Sequence, residues 1–145
     1  MYTITCANID RTYTNFGTHA EQALAYTLTG EIRKHDRVPY DKDSDIPEYH
    51  MSVKSSGFSL MSGNLCESED FEEIISQYMT RVASKCVAYV SQAMVAYVMN
   101  MVEFNEFLHN FCGLERESAQ NGGRVKVKMR KESKKVIRWL EERVG

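Results

Sequence analysis

The chain has 145 residues and a net charge of −2, which fits a single domain over residues 1–145 and gives no overall attraction for polyanions. It contains no run of about eighteen apolar residues and no basic segment followed by an apolar one, so we expect neither a membrane helix nor a signal peptide. Its four cysteines form no CxxC pair, which predicts free thiols in a cytoplasmic protein. Charge is uneven, because residues 124–145 carry nine Lys/Arg against three Glu.

The N-terminal part of the chain predicts a strand followed by a helix. Apolar and small polar residues alternate over residues 2–6, as is typical of a strand. Residues 18–28 are rich in helix formers and lead to Gly30, a common helix terminator. Thr18 and Glu21 have the spacing of a capping box, so Glu21 has a structural interpretation as well as a chemical one.

The middle of the chain predicts a loop that leads into a strand. Residues 33–47 are polar and contain two prolines, which favours a loop or a short edge strand. A strand over residues 48–54 would separate two sets of side chains. One face would carry Glu48, His50, Ser52 and Lys54, and the other Tyr49, Met51 and Val53. Residues 58–61 predict a second strand after a tight turn, with Gly63 and Asn64 at its end.

Helices and strands alternate through the remainder. The predicted elements are a helix capped by Ser68 that extends to Val82, strands at 86–91 and 95–99, a helix capped by Asn100 that ends near Gly113, a polar loop at 115–123, a strand at 124–130 and a final helix from about Lys131. This order predicts a mixed α/β fold with a central sheet flanked by helices.

Asp45 and Lys54 have the clearest chemistry. A carboxylate at a strand entrance suits a hard divalent cation, which can generate hydroxide and neutralise charge on a phosphate. A nearby ammonium can hold the attacking water or stabilise the transition state. Each residue also has a plainer explanation, Asp45 as a turn residue and Lys54 as an exposed strand-end charge. The sequence has no Gly-rich phosphate loop, serine nucleophile elbow, Cys/His signature or HExxH helix, which excludes those enzyme classes.

Over residues 17–100 the chain resembles the PD-(D/E)xK nuclease superfamily. Asp45 matches the family's aspartate, Ser52-Val53-Lys54 its acid-x-lysine tripeptide, and Glu21 the glutamate of its preceding helix. Two positions depart from the pattern, because Ser44 replaces the proline and a serine replaces the acid of the tripeptide. The resemblance implies a restriction endonuclease-like core, with a strand and a helix added at the C-terminus, and Mg²⁺-dependent hydrolysis of DNA phosphodiester bonds.

The resemblance also implies roles for particular residues. The catalytic set would be Asp45, Lys54, Ser52 and Glu21. Asp45 would bind Mg²⁺, for which Mn²⁺ would substitute, with Glu21 or Glu48 as a second carboxylate and the Val53 carbonyl as a further ligand. Lys54 would orient the water or stabilise charge. His50 has the alternatives of positioning a phosphate or being merely solvated.

The basic segment and one helix predict two partners, DNA and a second copy of the chain. Alternation over residues 124–130 places Arg124, Lys126, Lys128 and Arg130 on one face. There they would contact phosphates, or would form a solvated edge strand. The Met- and Phe-rich helix at 101–111 would supply core or the interface of a symmetric homodimer. The alternative function is a catalytically inactive nuclease-like module that binds either nucleic acid or a protein. The nucleic acid would be DNA or RNA. Ser52 favours this alternative.

Overall fold

The computed structural model describes residues 1–11, 15–32, 44–60 and 68–145. Within them the chain forms seven strands and four α-helices, a mixed α/β fold. The strands are β1 (Tyr2–Thr5), β2 (Met51–Ser55), β3 (Ser59–Leu60), β4 (Cys86–Val90), β5 (Val95–Asn100), β6 (Cys112–Arg116) and β7 (Val125–Met129). The helices are α1 (Phe16–Thr29), α2 (Phe71–Arg81), α3 (Met101–Phe111) and α4 (Lys134–Arg143). Predicted features at 33–43 and 61–67, including Gly63 and Asn64, lie outside the described residues.

A four-stranded sheet in the order β1-β5-β4-β2 forms the centre of the fold. Strands β4 and β5 are an antiparallel hairpin, whereas β2 and β4 are parallel and are connected through α2. Helices cover both faces, so β4 is apolar along its whole length, as expected of a strand buried on two sides. Val87 and Tyr89 pack with α2 and α3, while Ala88 and Val90 pack with α1.

A second sheet in the order β3-β7-β6 is antiparallel and contains one strand that the sequence analysis missed. Helix α3 passes directly into β6, so the prediction of a polar loop from residue 115 was wrong for the first two of those residues. Only two residues of β6, Cys112 and Leu114, are apolar, and its partner β7 supplies the pairing that makes it a strand.

The N-terminus of α1 corrects a second prediction. The helix begins at Phe16, two residues earlier than predicted, because the Asn15 side chain accepts hydrogen bonds from the amides of Gly17 and Thr18. Thr18 therefore lies inside the first turn and is not an N-cap. The capping box that would have explained Glu21 structurally does not form.

Two other helices, in contrast, begin later than predicted. Helix α2 is capped by Asp70 rather than Ser68, since the Asp70 carboxylate accepts from the amide of Glu73. Helix α4 begins at Lys134 instead of about Lys131.

Helix α3 belongs to the hydrophobic core. Phe104, Phe107 and Leu108 are fully buried within the chain itself. The helix therefore contributes to the core, which is one of its two predicted roles, and a dimer interface there stays a prediction. None of the described helices is long and apolar enough to span a membrane.

A complete capping box forms the N-terminus of α3. The Asn100 side chain accepts from the amide of Glu103 at 2.8 Å, and the Glu103 carboxylate accepts from the amide of Asn100 at 3.0 Å. Both amides lack a partner within the helix, so this exchange satisfies two donors at once.

We predict that Asn100→Ala destabilises the protein by about 1–2 kcal/mol, because the substitution breaks this reciprocal pair. Thermal unfolding measures the effect as a fall of several degrees in Tm. Asn110→Ala is the matched control, since the Asn110 side chain donates to the Glu106 carbonyl of the same helix and caps no helix terminus. Equal falls in Tm in the two variants would contradict a stabilising role for the capping box.

Candidate active site

A short hairpin places Asp45 beside β2. Residues Pro47–Tyr49 form one 3₁₀ turn, and Ile46 then pairs with Met51 in an isolated antiparallel bridge. The Asp45 Oδ2 atom accepts a hydrogen bond of 2.7 Å from the amide of Val53. This bond fixes the carboxylate next to the residue that precedes Lys54. Its other oxygen accepts no hydrogen bond from the part of the chain that the structure describes.

The same hairpin corrects the predicted strand. Strand β2 begins at Met51, because Glu48 belongs to the 3₁₀ turn and His50 adopts a left-handed conformation with φ 48°. Both side chains are exposed, and they do not continue the strand face that carries Lys54. The prediction that Glu48, His50, Ser52 and Lys54 share one face was therefore wrong for its first two members.

Glu21 reaches this hairpin from α1. Ala20, Ala23 and Leu24 bury the helix against the sheet, and Glu21 lies at the margin of that contact. The pKa of Glu21 is raised to about 7, chiefly by burial and further by the Asp45 carboxylate, while Lys54 acts in the opposite direction. Glu21 and Asp45 are therefore close enough to repel each other, although 23 residues separate them in sequence.

Lys54 lies in apolar surroundings next to the two carboxylates. Its Nζ atom is 5.9 Å from the ring centroid of Tyr78 and 6.0 Å from that of Phe58. Loss of water lowers the pKa of Lys54 below its ordinary value, and Asp45 and Glu21 oppose that shift. Among the described residues, Lys54 forms no direct ion pair, so the three charges act on one another through space.

Ser52 is part of a buried chain of hydroxyl groups. Its Oγ atom is 2.5 Å from that of Ser84, which donates in turn to Ser44 at 2.8 Å. Tyr78 is hydrogen-bonded to Ser52 as well, and the pKa of Tyr78 is raised to about 12 by burial and by the Asp45 charge. The hydroxyl of Ser52 is thus committed to neighbouring hydroxyl groups.

The sequence analysis did not identify Tyr78 or Ser84 as site residues. Tyr78 belongs to the apolar stripe of α2, and nothing in that pattern shows where its hydroxyl points. Ser84 lies in the short segment between α2 and β4, without a motif of its own. Only the fold reveals that both contact Ser52.

The donor set fits a hard divalent cation in part. Glu21 and Asp45 are two neighbouring carboxylates whose mutual repulsion a cation would relieve, and neither accepts more than one hydrogen bond from the described residues. The Val53 carbonyl lies on the same strand segment. No third Asp, Glu, His or Cys joins a cluster with them in the described ranges, and this includes Glu48. Mg²⁺ commonly uses one or two carboxylates and completes its shell with water and substrate phosphate.

The predicted basic strand is less available than its sequence indicated. Val127 and Met129 are buried, which confirms the alternation along β7. The Lys126 ammonium lies 3.8 Å from the Glu117 carboxylate, and the Lys128 ammonium lies 3.7 Å from that of Glu115. Glu115 in β6 and Glu117 just after it therefore neutralise part of the positive charge on β7.

Comparison of the chain with protein-family models, with curated proteins and with solved structures finds no match.

The raised pKa of Glu21 predicts a pH-dependent difference in stability. Between the ordinary pKa of 4.5 and the folded-state value of about 7, the folded protein binds the extra proton, so wild-type stability falls as pH rises through this window. Glu21→Gln removes the charge, and we expect it to be more stable than wild type by about 1–3 kcal/mol at pH 8, with this gain absent at pH 4.

Chemical denaturation at the two pH values measures this difference. Glu31→Gln is the control, because Glu31 is exposed just after the end of α1. A Glu21→Gln effect of the same size at both pH values would show that Glu21 titrates normally.

Proposed function

We propose that the chain is a small metal-dependent endonuclease that hydrolyses DNA phosphodiester bonds, with a restriction endonuclease-like core. The observation that carries the proposal is the grouping of Glu21, Asp45 and Lys54, which come from a helix, a hairpin and a strand. Two carboxylates and a desolvated ammonium are the residue types that metal-assisted phosphodiester hydrolysis requires.

Asp45 and Glu21 would hold the cation, with the Val53 carbonyl as a neutral donor. A bound Mg²⁺ or Mn²⁺ supplies a hydroxide nucleophile and neutralises charge on the phosphate. Since Glu21 is half protonated near pH 7, it must lose this proton to act as a ligand, and cation affinity would rise with pH.

Lys54 has the position for the electrostatic role. In hydrolysis the water oxygen forms a bond to phosphorus while one ester P–O bond breaks, and negative charge accumulates on the phosphate oxygens. The Lys54 ammonium would donate to the attacking water or to one of these oxygens. Its apolar surroundings, formed by Phe58 and Tyr78, would strengthen that interaction by excluding water.

The order of elements supports the proposal with one departure. A helix, α1, precedes the Asp45 hairpin and β2, and α2 then leads to β4, which runs parallel to β2. The core of the superfamily has a helix before a three-strand meander and a second helix that leads to a further strand, and the order here is similar to it. Strand β3, however, pairs with β7 in the second sheet, so only the Ile46–Met51 bridge and β2 correspond to the expected three-strand meander.

A second candidate function is a nuclease-like module that binds nucleic acid without cutting it. The observation in its favour is the commitment of Ser52 to Ser84, which leaves the position of the family's second acid without a carboxylate and with a hydroxyl already in use. Such a module would not need a metal ion at Asp45 to bind nucleic acid.

We predict that purified protein nicks supercoiled plasmid in Mg²⁺ or Mn²⁺, and that Asp45→Asn and Lys54→Met each lower the rate by about a hundredfold or more. Matched controls are Asp10→Asn and Lys85→Met, which change exposed residues outside the site. Undiminished cleavage by both site variants would point to another site or a contaminant. No cleavage by wild type, together with DNA retardation, would favour the binding module.

Metal binding has a readout that does not depend on activity. We predict that Mg²⁺ raises the Tm of the wild type by a few degrees at pH 8 and by less at pH 5, because protonated Glu21 does not bind a cation. Differential scanning fluorimetry measures both values. Asp45→Asn should abolish the rise at pH 8, and a rise that persists in this variant would place the cation elsewhere.

A further inference from the structure

Five basic side chains surround the beginning of α4. All are exposed, and none forms an ion pair or a hydrogen bond with the residues that the structure describes. We call them the α4 cluster, which consists of Arg130, Lys131, Lys134, Lys135 and Arg138. One acidic residue, Glu132, occurs within this segment, and its carboxylate is directed into the protein.

The cluster faces away from the core. Helix α4 packs through Val136 and Leu140, which are buried. Lys134 and Arg138 lie on the opposite side and are one helical turn apart, about 6 Å along the axis. An open groove of about 580 Å³ runs past them, lined by Glu132, Ser133, Lys134, Ile137 and Arg138. Neighbouring cations at this spacing can reach neighbouring phosphates of a single strand.

Glu132 ties the cluster to the turn that follows Lys54. Its amide donates to the Ser56 hydroxyl at 2.9 Å, and its carboxylate accepts from the Tyr89 hydroxyl at 2.7 Å. The carboxylate also accepts from the Gln92 amide at 3.2 Å. Ser56 is two residues beyond Lys54, so the basic segment begins beside the candidate active site.

The α4 cluster differs from the basic residues of β7 in having no acidic neighbour within 4 Å in the part of the chain that the structure describes. Lys126 and Lys128 each have an acidic neighbour within 4 Å, so a phosphate there would have to displace a carboxylate. The cations of the α4 cluster have no such competitor among the described residues. They release counterions freely when they meet a polyanion.

We propose that the α4 cluster binds the phosphate backbone of the DNA substrate and positions the strand at Lys54. This inference rests on the proposed function for its substrate, and it replaces Lys126 and Lys128 with α4 residues as the principal phosphate contacts. The recognition is electrostatic and independent of base sequence.

The test measures DNA binding without cleavage. Fluorescence anisotropy with a short labelled duplex in EDTA gives Kd over a range of salt concentrations. Lys134→Gln/Lys135→Gln should weaken binding about tenfold at roughly 0.1 M salt and reduce the salt slope by about 1–2. Lys126→Gln/Lys128→Gln removes the same charge and should change Kd by less than about twofold.

Arg138→Gln provides an independent variant on the same face, and circular dichroism verifies that each variant folds. Equal losses in the two double variants, an unchanged Kd in the α4 variants, or no binding of duplex by wild type would each overturn the inference. Binding through α4 by a protein that never cuts DNA would refute the nuclease proposal alone. Cleavage that is indifferent to the α4 cluster would refute the inference alone.

Discussion

The candidate site depends on an electrostatic conflict that the fold imposes on Glu21, Asp45 and Lys54. The Asp45 carboxylate disfavours a second negative charge on the partly buried Glu21, and the Lys54 ammonium beside them has lost part of its own hydration. Proteins seldom keep such a group without a use for it, because burial makes the charges of Glu21 and Lys54 less stable there than in water. A divalent cation would resolve the conflict, which is why the arrangement favours metal-assisted chemistry over a merely structural role.

The rest of the architecture holds these charges in place. Small residues of α1 allow that helix to pack closely on the sheet, which brings Glu21 to β2. The 3₁₀ turn at Pro47–Tyr49 reverses the chain, so that the Val53 amide binds Asp45. At the other end of β2, the Ser56 turn contacts Glu132 and thereby connects the site with α4.

Local patterns in the sequence predicted most helices and strands but few of the contacts between them. The apolar periodicities of α2, α3 and β4 are strong, and these elements form within about two residues of their predicted bounds. Strand β6 was missed because its stability comes from pairing with β7, and its absence from the prediction hid the acidic partners of Lys126 and Lys128. The left-handed conformation of His50 makes β2 begin at Met51, later than predicted, and no residue type at these positions indicates that conformation. The hydroxyl chain of Ser52 joins positions up to 40 residues apart, which no local pattern encodes.

The central claim is that Glu21 shares one electrostatic site with Asp45 and Lys54 and that this site binds a cation. A ¹³C NMR titration of the Glu21 side-chain carboxyl group, without and with Mg²⁺, tests both parts directly. We expect a pKa near 7 without metal and a fall of about one unit or more when Mg²⁺ is added. A carboxyl group that titrates near 4.5 and does not respond to Mg²⁺ would contradict it.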